Sequence, residues 1–289
     1  MALLEKGYAY WDRGDVFYDP LKFKGFGRLY GLDMSRWPKK KRHFRRDTYP
    51  GVQWNLGDFI LWHGYSAGDP VYWDTEVGRG RPAWNVQDAA MATKCLGPHI
   101  DVCCGGIDNL YRHHDYTISV VEAVYGGEYS RYWLHGGHLF VDGKKMSKSK
   151  GNVIYLDDLL AEGYRPEDVR FCLIYGHYRR RLNFTRQRLK KDSMRLEEFQ
   201  QMVRQFEDHQ SNSNDYDKKS SRLINSIVPR FEENMNNDLD IKHAFDSIFE
   251  AVTKLTSLYK TGRLTRDDCN SITQALKRVD NVLQVIFPA

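Results

Sequence analysis

Residues 100–106 read IDVCCGG, an apolar run of strand length that ends in two glycines. The pattern predicts a buried β-strand that closes on a tight turn. A helical pattern follows over residues 113–125 and ends at a second glycine pair. Residues 132–135 and 138–141 then have the pattern of two further strands. Strands that alternate with helices predict a parallel α/β sheet, in which ligands bind at the carboxyl ends of the strands.

Composition is that of a globular protein. A chain of 289 residues, 41% hydrophobic and 28% charged, can bury a substantial core in one large or two smaller domains. No apolar run approaches the roughly 20 residues of a membrane helix, and the N-terminus lacks the order of a secretory signal. The five cysteines are odd in number and scattered. We therefore expect no membrane association and no disulfide framework, and a location in the reducing cytoplasm.

The composition and the apolar spacing of the sequence change near residue 190. Glycine becomes scarce, residues 211–215 form a polar linker, and residues 222–259 have helical spacing. We predict an α/β domain over residues 1–190 and a helical domain over residues 191–289.

Residues 143–152 read GKKMSKSKGN and carry the strongest functional signal. Lys145 and Lys148 would place positive charge on triphosphate oxygens, while serine hydroxyls and backbone amides would donate hydrogen bonds. Flanking glycines allow such a loop to move. A solvated lysine-rich turn is the alternative, but the complete string favours a nucleotide site.

This string resembles the signature loop of class I aminoacyl-tRNA synthetases, and the surrounding runs resemble the cysteinyl-tRNA synthetase family. The runs that carry the second resemblance are GRPAWNVQDAAM at 80–91, DVCCGGIDNL at 101–110 and HHDYT at 113–117, with residues 7–19, 58–62 and 234–252 in the same order. The resemblance implies part of a Rossmann-type parallel sheet with a connecting insert, followed by an α-helical bundle. It implies ATP with Mg²⁺ as cofactor, and an amino acid and tRNA as substrates.

The family also implies site residues, of which Lys145 and Lys148 are the catalytic pair. For ATP binding it implies Gly105, Gly106, Asp108, His135, Gly136, Gly137, Lys145, Met146, Ser147, Lys148 and Ser149, with Asp108 on the ribose. For the amino-acid pocket it implies Trp84, Asn85, Asp88, Cys103, His113 and Thr117. For tRNA it implies Arg179, Arg180, Arg181, Arg186, Arg188, Lys190 and Lys191.

Two departures from the family pattern matter. The family's first nucleotide-binding half, with its His-Ile-Gly-His motif, has no counterpart here, so we expect a truncated sequence, a separate chain that supplies this half, or a reduced protein. The family's zinc ligands are two Cys, a His and a Glu, but Asp88 and Thr117 stand at two of these positions. Only His113 remains as a weak metal candidate, and we expect no zinc.

Other residues leave alternatives open. Asp88, Cys103, Cys104 and His113 could form a different metal site, although adjacent cysteines on a strand point to opposite faces. Cysteines packed like apolar side chains are the simpler interpretation. His114 and His177 have no visible partner and receive no role.

Three functions remain. The first is an aminoacyl-tRNA ligase, which the basic, aromatic-containing residues 179–191 favour because such segments attract a phosphate backbone. The second is a ligase of the same fold that transfers the amino acid to a small amine or carrier, as the mycothiol-pathway cysteine ligase does. The third is a non-catalytic RNA-binding remnant. Little sequence follows the helical segment, which weakens the first function.

Overall fold

A computed structural model describes residues 1–38, 40–45, 56–208 and 218–287. The chain forms two compact units, Met1–Gly136 and Gly137–Ala289. The predicted boundary near residue 190 concerns functional domains and stays a prediction, and the predicted linker at 211–215 lies outside the described residues.

The first unit begins with a one-turn helix, α1, followed by a six-stranded sheet of order β1-β2-β4-β6-β5 with β3 on β4. The bounds are α1 Ala2–Glu5, β1 Ala9–Asp12, β2 Asp15–Tyr18, β3 His43–Phe44, β4 Asp58–Gly64, β5 Trp73–Thr75 and β6 Gly78–Pro82. Within this sheet, as far as its residues are described, only β3 and β4 pair in parallel. This sheet is therefore mostly antiparallel, unlike the parallel sheet predicted from residues 100–141. Two residues join β1 to β2, whereas parallel neighbours need a crossover of about a dozen residues or more.

Helix α2 (Trp84–Leu96), strand β7 (Ile100–Gly106), helix α3 (His113–Tyr125) and strand β8 (Ser130–Gly136) complete this unit. β7 and β8 pair in parallel, so the strand and the helix predicted over 100–125 are confirmed. The predicted burial of β7 is wrong, because Val102 is 48% exposed. In the described residues β7 has β8 as its only strand partner, and one face of the strand stays open to solvent.

An aromatic stack joins the sheet to α3. The ring centroids of Phe59 and Tyr116 lie 3.9 Å apart, and the angle between the ring planes is 6°. Both side chains are fully buried. Tyr18 stacks on Phe59, and its hydroxyl donates to the Ser119 carbonyl over 3.0 Å. The stack fixes α3 against β2 and β4.

The second unit starts with a three-stranded sheet of order β10-β9-β11 and continues as a helical bundle. The bounds are β9 Leu139–Val141, β10 Lys144–Lys145, α4 Leu156–Ala161, α5 Pro166–Ile174, β11 Leu182–Phe184, α6 Arg186–Glu207, α7 Lys218–Asn236, α8 Ile241–Lys260 and α9 Arg266–Leu283. The predicted C-terminal helices are confirmed. The segment 222–259 forms two of them, because Asp238 and Leu239 adopt positive φ and break the helix. Phe199, Phe245 and Ile248 are fully buried in the bundle core.

Within the described ranges, no helix combines the length and apolar character needed to cross a membrane. All five cysteines are free in this structure.

We expect Phe59→Ala to lower the free energy of unfolding of the first unit by about 3–5 kcal/mol, because it removes a ring from a closed stack. All seven tryptophans lie between residues 11 and 133, so tryptophan fluorescence during denaturant unfolding reports on this unit. Tyr132→Ala, at a side chain that is 62% exposed, should change stability by less than about 0.5 kcal/mol. Equal losses in the two variants would contradict the role of the stack.

Candidate functional site

The carboxyl ends of β7 and β8 bring together five of the predicted ATP-binding residues. The strand register places Gly105 opposite His135 and Gly106 opposite Gly136. Asp108 lies in the single-turn helix Ile107–Tyr111 that follows β7 directly. The residues thus meet at the edge where parallel sheets bind ligands, and their role in ATP binding stays a prediction.

Close packing around the glycines at this edge is tightest at Gly105. A Cβ atom on Gly105 would lie 2.7 Å from Asn109 Nδ2 and 2.7 Å from His114 Cε1. A Cβ atom on Gly106 would lie 2.6 Å from Asp108 Oδ1. The buried His114 ring therefore excludes a side chain at Gly105, whereas a side chain at Gly106 would only displace the end of the Asp108 side chain.

His114, which received no role from the sequence, pairs with His135. Its Nδ1 lies 2.8 Å from His135 Nε2, and the two residues are only 6% and 7% exposed. Burial, followed by the charges of His135 and His113, lowers the pKa of His114 to about 3. The His114 imidazole is therefore neutral near pH 7, and one hydrogen bond joins it to the His135 ring. The partner lies 21 residues away in the chain, so no local spacing predicts this contact.

The predicted amino-acid pocket centres on a contact between α2 and α3. His113 Nε2 lies 2.8 Å from Asp88 Oδ2, and the Thr117 hydroxyl donates to the His113 carbonyl over 3.0 Å. Asn85 is buried and donates to the Ile60 carbonyl over 3.0 Å. Trp84, also on α2, is 44% exposed. The two helices thus bring Asp88, His113 and Thr117 together.

These residues do not fit the zinc ion of the family. The His113 nitrogen that faces Asp88 already has a carboxylate partner, and the Thr117 hydroxyl is bonded to its own helix. Among the described residues, no three His, Cys, Asp or Glu side chains are arranged to hold a metal. Burial raises the pKa of Cys103 to about 11 and keeps this thiol neutral, while Cys104 is exposed.

The lysine loop, residues 143–152, is held by its own backbone and Asn152. Asp142 and Gly143 have positive φ in the tight turn between β9 and β10. Asn152 Oδ1 accepts from the Ser147 amide over 2.9 Å, and its Nδ2 donates to the Lys145 carbonyl over 3.3 Å. The Asn at the end of the signature string thus closes the loop.

The ammonium groups of the loop are directed to solvent. Lys145, Lys148 and Lys150 are exposed, and the Lys145 Nζ lies 3.3 Å from His138 Nε2. Among the described residues, Lys148 and Lys150 have no carboxylate partner. Ser147 and Ser149 place their hydroxyl oxygens 3.3 Å apart on the same loop, beside the half-buried Met146. An anion could therefore bind here without breaking an ion pair.

Gly137 has a packing role in the second unit. Its amide donates to the Tyr178 carbonyl over 2.6 Å. A Cβ atom at this position would lie 2.4 Å from the Arg180 carbonyl oxygen. Its predicted place near adenine stays a prediction.

Nearby carboxylates neutralise part of the positive charge of the basic stretch 179–191. Ion pairs neutralise three of its members: Arg179 with Asp238 at 2.5 Å, Arg186 with Glu162 at 2.5 Å and Arg188 with Asp192 at 3.3 Å. Hydrogen bonds from Arg179 and Tyr178 lower the pKa of Asp238 to about 2. His177, which had no partner in the sequence analysis, lies 3.6 Å from Asp238. Only part of the predicted tRNA-binding charge is thus available to a ligand.

Comparison with known proteins places the chain among the class I tRNA synthetases. Its residues 1–194 match the family model described as tRNA synthetases class I (C) catalytic domain, and the chain belongs to this family.

Within this family, the chain is similar to cysteine–tRNA ligases. The chain is 35% identical to a cysteine–tRNA ligase of Brachyspira hyodysenteriae and 34% identical to one of Chlamydia pneumoniae, in each case over 98% of this chain and 60% of the relative. It therefore spans about 60% of the length of the curated relatives it matches. A Campylobacter jejuni structure, provisionally named an arginyl-tRNA synthetase, shares the fold with a TM-score of 0.61 at 11% identity, over 98% of this chain and 59% of that one. The resemblance inferred from the motifs is confirmed.

We expect the stability of the first unit to fall as pH decreases from about 6.5, because the unfolded chain protonates His114 there and the folded chain does so only near pH 3. Between pH 6.5 and 5 the loss from this residue is at most about 2 kcal/mol. His114→Asn should reduce the pH dependence of denaturant unfolding, measured by tryptophan fluorescence. His99→Asn, at an exposed histidine, is the control. An unchanged pH dependence in His114→Asn would show that another group carries the effect.

Proposed function

We propose that the chain binds ATP and activates an amino acid as part of a cysteinyl-tRNA-synthetase-like ligase that transfers the amino acid to tRNA. The single observation that carries this proposal is the exposed lysine loop, which Asn152 closes. Among the described residues, the ammonium groups of Lys148 and Lys150 have no carboxylate partner. The relatives named cysteine–tRNA ligases support the same reaction.

In the proposed reaction, a carboxylate oxygen of the amino acid attacks the α-phosphorus of ATP. An aminoacyl adenylate forms, and the bond to pyrophosphate breaks. Negative charge develops on the departing phosphates, where Lys145 and Lys148 supply positive charge and the serine hydroxyls supply hydrogen bonds. Mg²⁺ enters with the phosphates of ATP, as is usual for this cation.

We propose that the nucleoside binds at the carboxyl ends of β7 and β8. The glycines expose their backbone to a ligand, and the Asp108 carboxylate can accept hydrogen bonds from ribose hydroxyls. Burial keeps the His114 ring neutral near pH 7, so this residue adds no charge beside an uncharged base. A neutral ring nitrogen also keeps its acceptor capacity, which an imidazolium lacks.

We propose that tRNA is the acceptor. The observation that favours tRNA over a small amine is the exposed positive charge that remains in residues 179–191 after the internal ion pairs are formed. A small amine needs no extended basic surface. ATP–pyrophosphate exchange tests for an active ligase against a non-catalytic protein, and salt-dependent tRNA binding tests for the acceptor.

We expect Lys145→Ala/Lys148→Ala to weaken ATP binding at least about tenfold, because each charge-assisted contact contributes about 1.5–3 kcal/mol. Binding of ATP to the chain is measured by calorimetry, which does not require turnover. Lys144→Ala is the matched control, since the neighbouring side chains of β10 point to opposite faces. Unchanged ATP affinity in the double variant would refute the role of the loop.

We also expect no stoichiometric zinc and no preference for cysteine. The Asp88–His113 pair and the Thr117 hydroxyl replace the ligands that a tetrahedral site requires. Without a metal, –SH and –OH differ in a pocket by only about 1–3 kcal/mol. Metal analysis of protein purified without added zinc, combined with an amino-acid screen by pyrophosphate exchange, tests both points. One zinc per chain together with a strong cysteine preference would contradict them.

A further inference from the structure

An apolar cavity in the second unit is lined by the three-stranded sheet and by helices α4 and α5. Its volume is about 430 Å³, inside the range of about 300–1,000 Å³ for small-ligand sites. Of the described residues that line it, Arg170 alone is charged and the others are apolar. The sheet contributes Leu139, Val141 and Phe184 to the wall, and the helices contribute Leu159, Val169 and Leu173.

The cavity opens to solvent through apolar side chains. Leu156 on α4 and Leu173 on α5 line it and are 50% and 45% exposed, whereas Leu159 and Val169 on the same helices are buried. The space therefore extends from the surface into the apolar core. An alkyl chain bound here would remove the two exposed leucines from water, which is favourable.

The cation of the cavity is held by the end of another helix. Arg170 Nε donates to the Leu283 carbonyl over 2.6 Å, and its Nη2 donates to the Val282 carbonyl over 3.4 Å. Both carbonyls belong to the last turn of α9. These two contacts fix the plane of the guanidinium group.

Arg170 keeps part of its hydrogen-bonding capacity. In the described part of the chain, no carboxylate lies within ion-pair distance of Arg170, and its Nη1 has no hydrogen-bond partner. A guanidinium group carries five N–H donors in a rigid fork. The donors of Nη1 therefore remain available to an anion at the cavity.

We infer that this cavity binds an amphipathic carboxylate, whose alkyl chain lies among the apolar side chains and whose carboxylate accepts hydrogen bonds from Arg170. An apolar space with one fixed cation matches a ligand with one negative charge at the end of an apolar body. Strands line one part of the cavity and helices the other, which suits a single chain better than a partner's helix, because a helix needs a long open groove. Among the predicted ATP-binding residues, only Met146 lines this cavity, and the inference does not rest on the proposed function.

The first test titrates the full chain with octanoate in a calorimeter and repeats the titration with octan-1-ol, which has the same chain without the charge. We expect one octanoate per chain and an affinity that rises about fourfold per added CH₂ from hexanoate to octanoate. Arg170→Gln should weaken octanoate binding about fivefold, the upper end for an exposed ion pair, and should leave octan-1-ol binding unchanged. Arg278→Gln, at an exposed arginine outside the lining, is the control and should change neither.

The second test compares Leu156→Gln with Leu160→Gln, two exposed positions on α4 of which only Leu156 lines the cavity. Leu156→Gln should weaken the binding of both ligands about fivefold, because it removes apolar contact, and Leu160→Gln should weaken it at most about twofold. Leu173→Gln must reproduce the result of Leu156→Gln. Denaturant unfolding checks that each variant is folded.

Three results would overturn the inference. The first is equal octanoate affinity in Arg170→Gln and Arg278→Gln, and the second is an equal loss in the Leu156 and Leu160 variants. The third is the absence of one-to-one octanoate binding, which is the result expected if the helix of a partner protein covers this surface. ATP enters none of these measurements, so their outcome is independent of the proposed function.

Discussion

The parallel register of β7 with β8 is the constraint on which the candidate nucleoside site depends. It sets Gly105 opposite His135, and the missing Cβ at Gly105 allows His114 to reach His135. A slip by one residue would turn every side chain of the strand to the other face. The buried ring pair and the exposed backbone of the glycines are thus consequences of one pairing, and the neutral state of His114 follows from the burial that this pairing creates.

Ion pairs with carboxylates determine which basic residues remain available to bind an anionic ligand. Asp238, Glu162 and Asp192 neutralise three arginines of the stretch 179–191. In the first unit, Lys41 and Arg45 are likewise paired with acidic side chains, although the run 39–46 has the more concentrated charge. Lys39 and Arg46 lie outside the described residues. Clustering of charge in sequence therefore overstates the positive charge that a phosphate backbone can meet.

Much of the local structure could be predicted because its signals are local. Glycine pairs and apolar periodicity located β7, α3 and the C-terminal helices, and the signature string located the lysine loop. The antiparallel sheet was missed because its strands are short and its register depends on side chains far apart in sequence, such as Phe59 on Tyr116. The contacts His114–His135 and Asp88–His113 also join distant segments. No spacing rule encodes them.

The predicted amino-acid pocket and the lysine loop differ in how they tolerate substitution. A tetrahedral zinc site needs its whole ligand set, so the proposed replacement of two family ligands by Asp88 and Thr117 would remove the site rather than weaken it. Phosphate recognition by lysines is additive, because each ammonium contributes its own attraction and no fixed geometry is required. The chain keeps the loop of lysines and its closing Asn152, while His113 has become the partner of a carboxylate. The physical chemistry of the remaining residues therefore supports nucleotide binding more strongly than recognition of a thiol side chain.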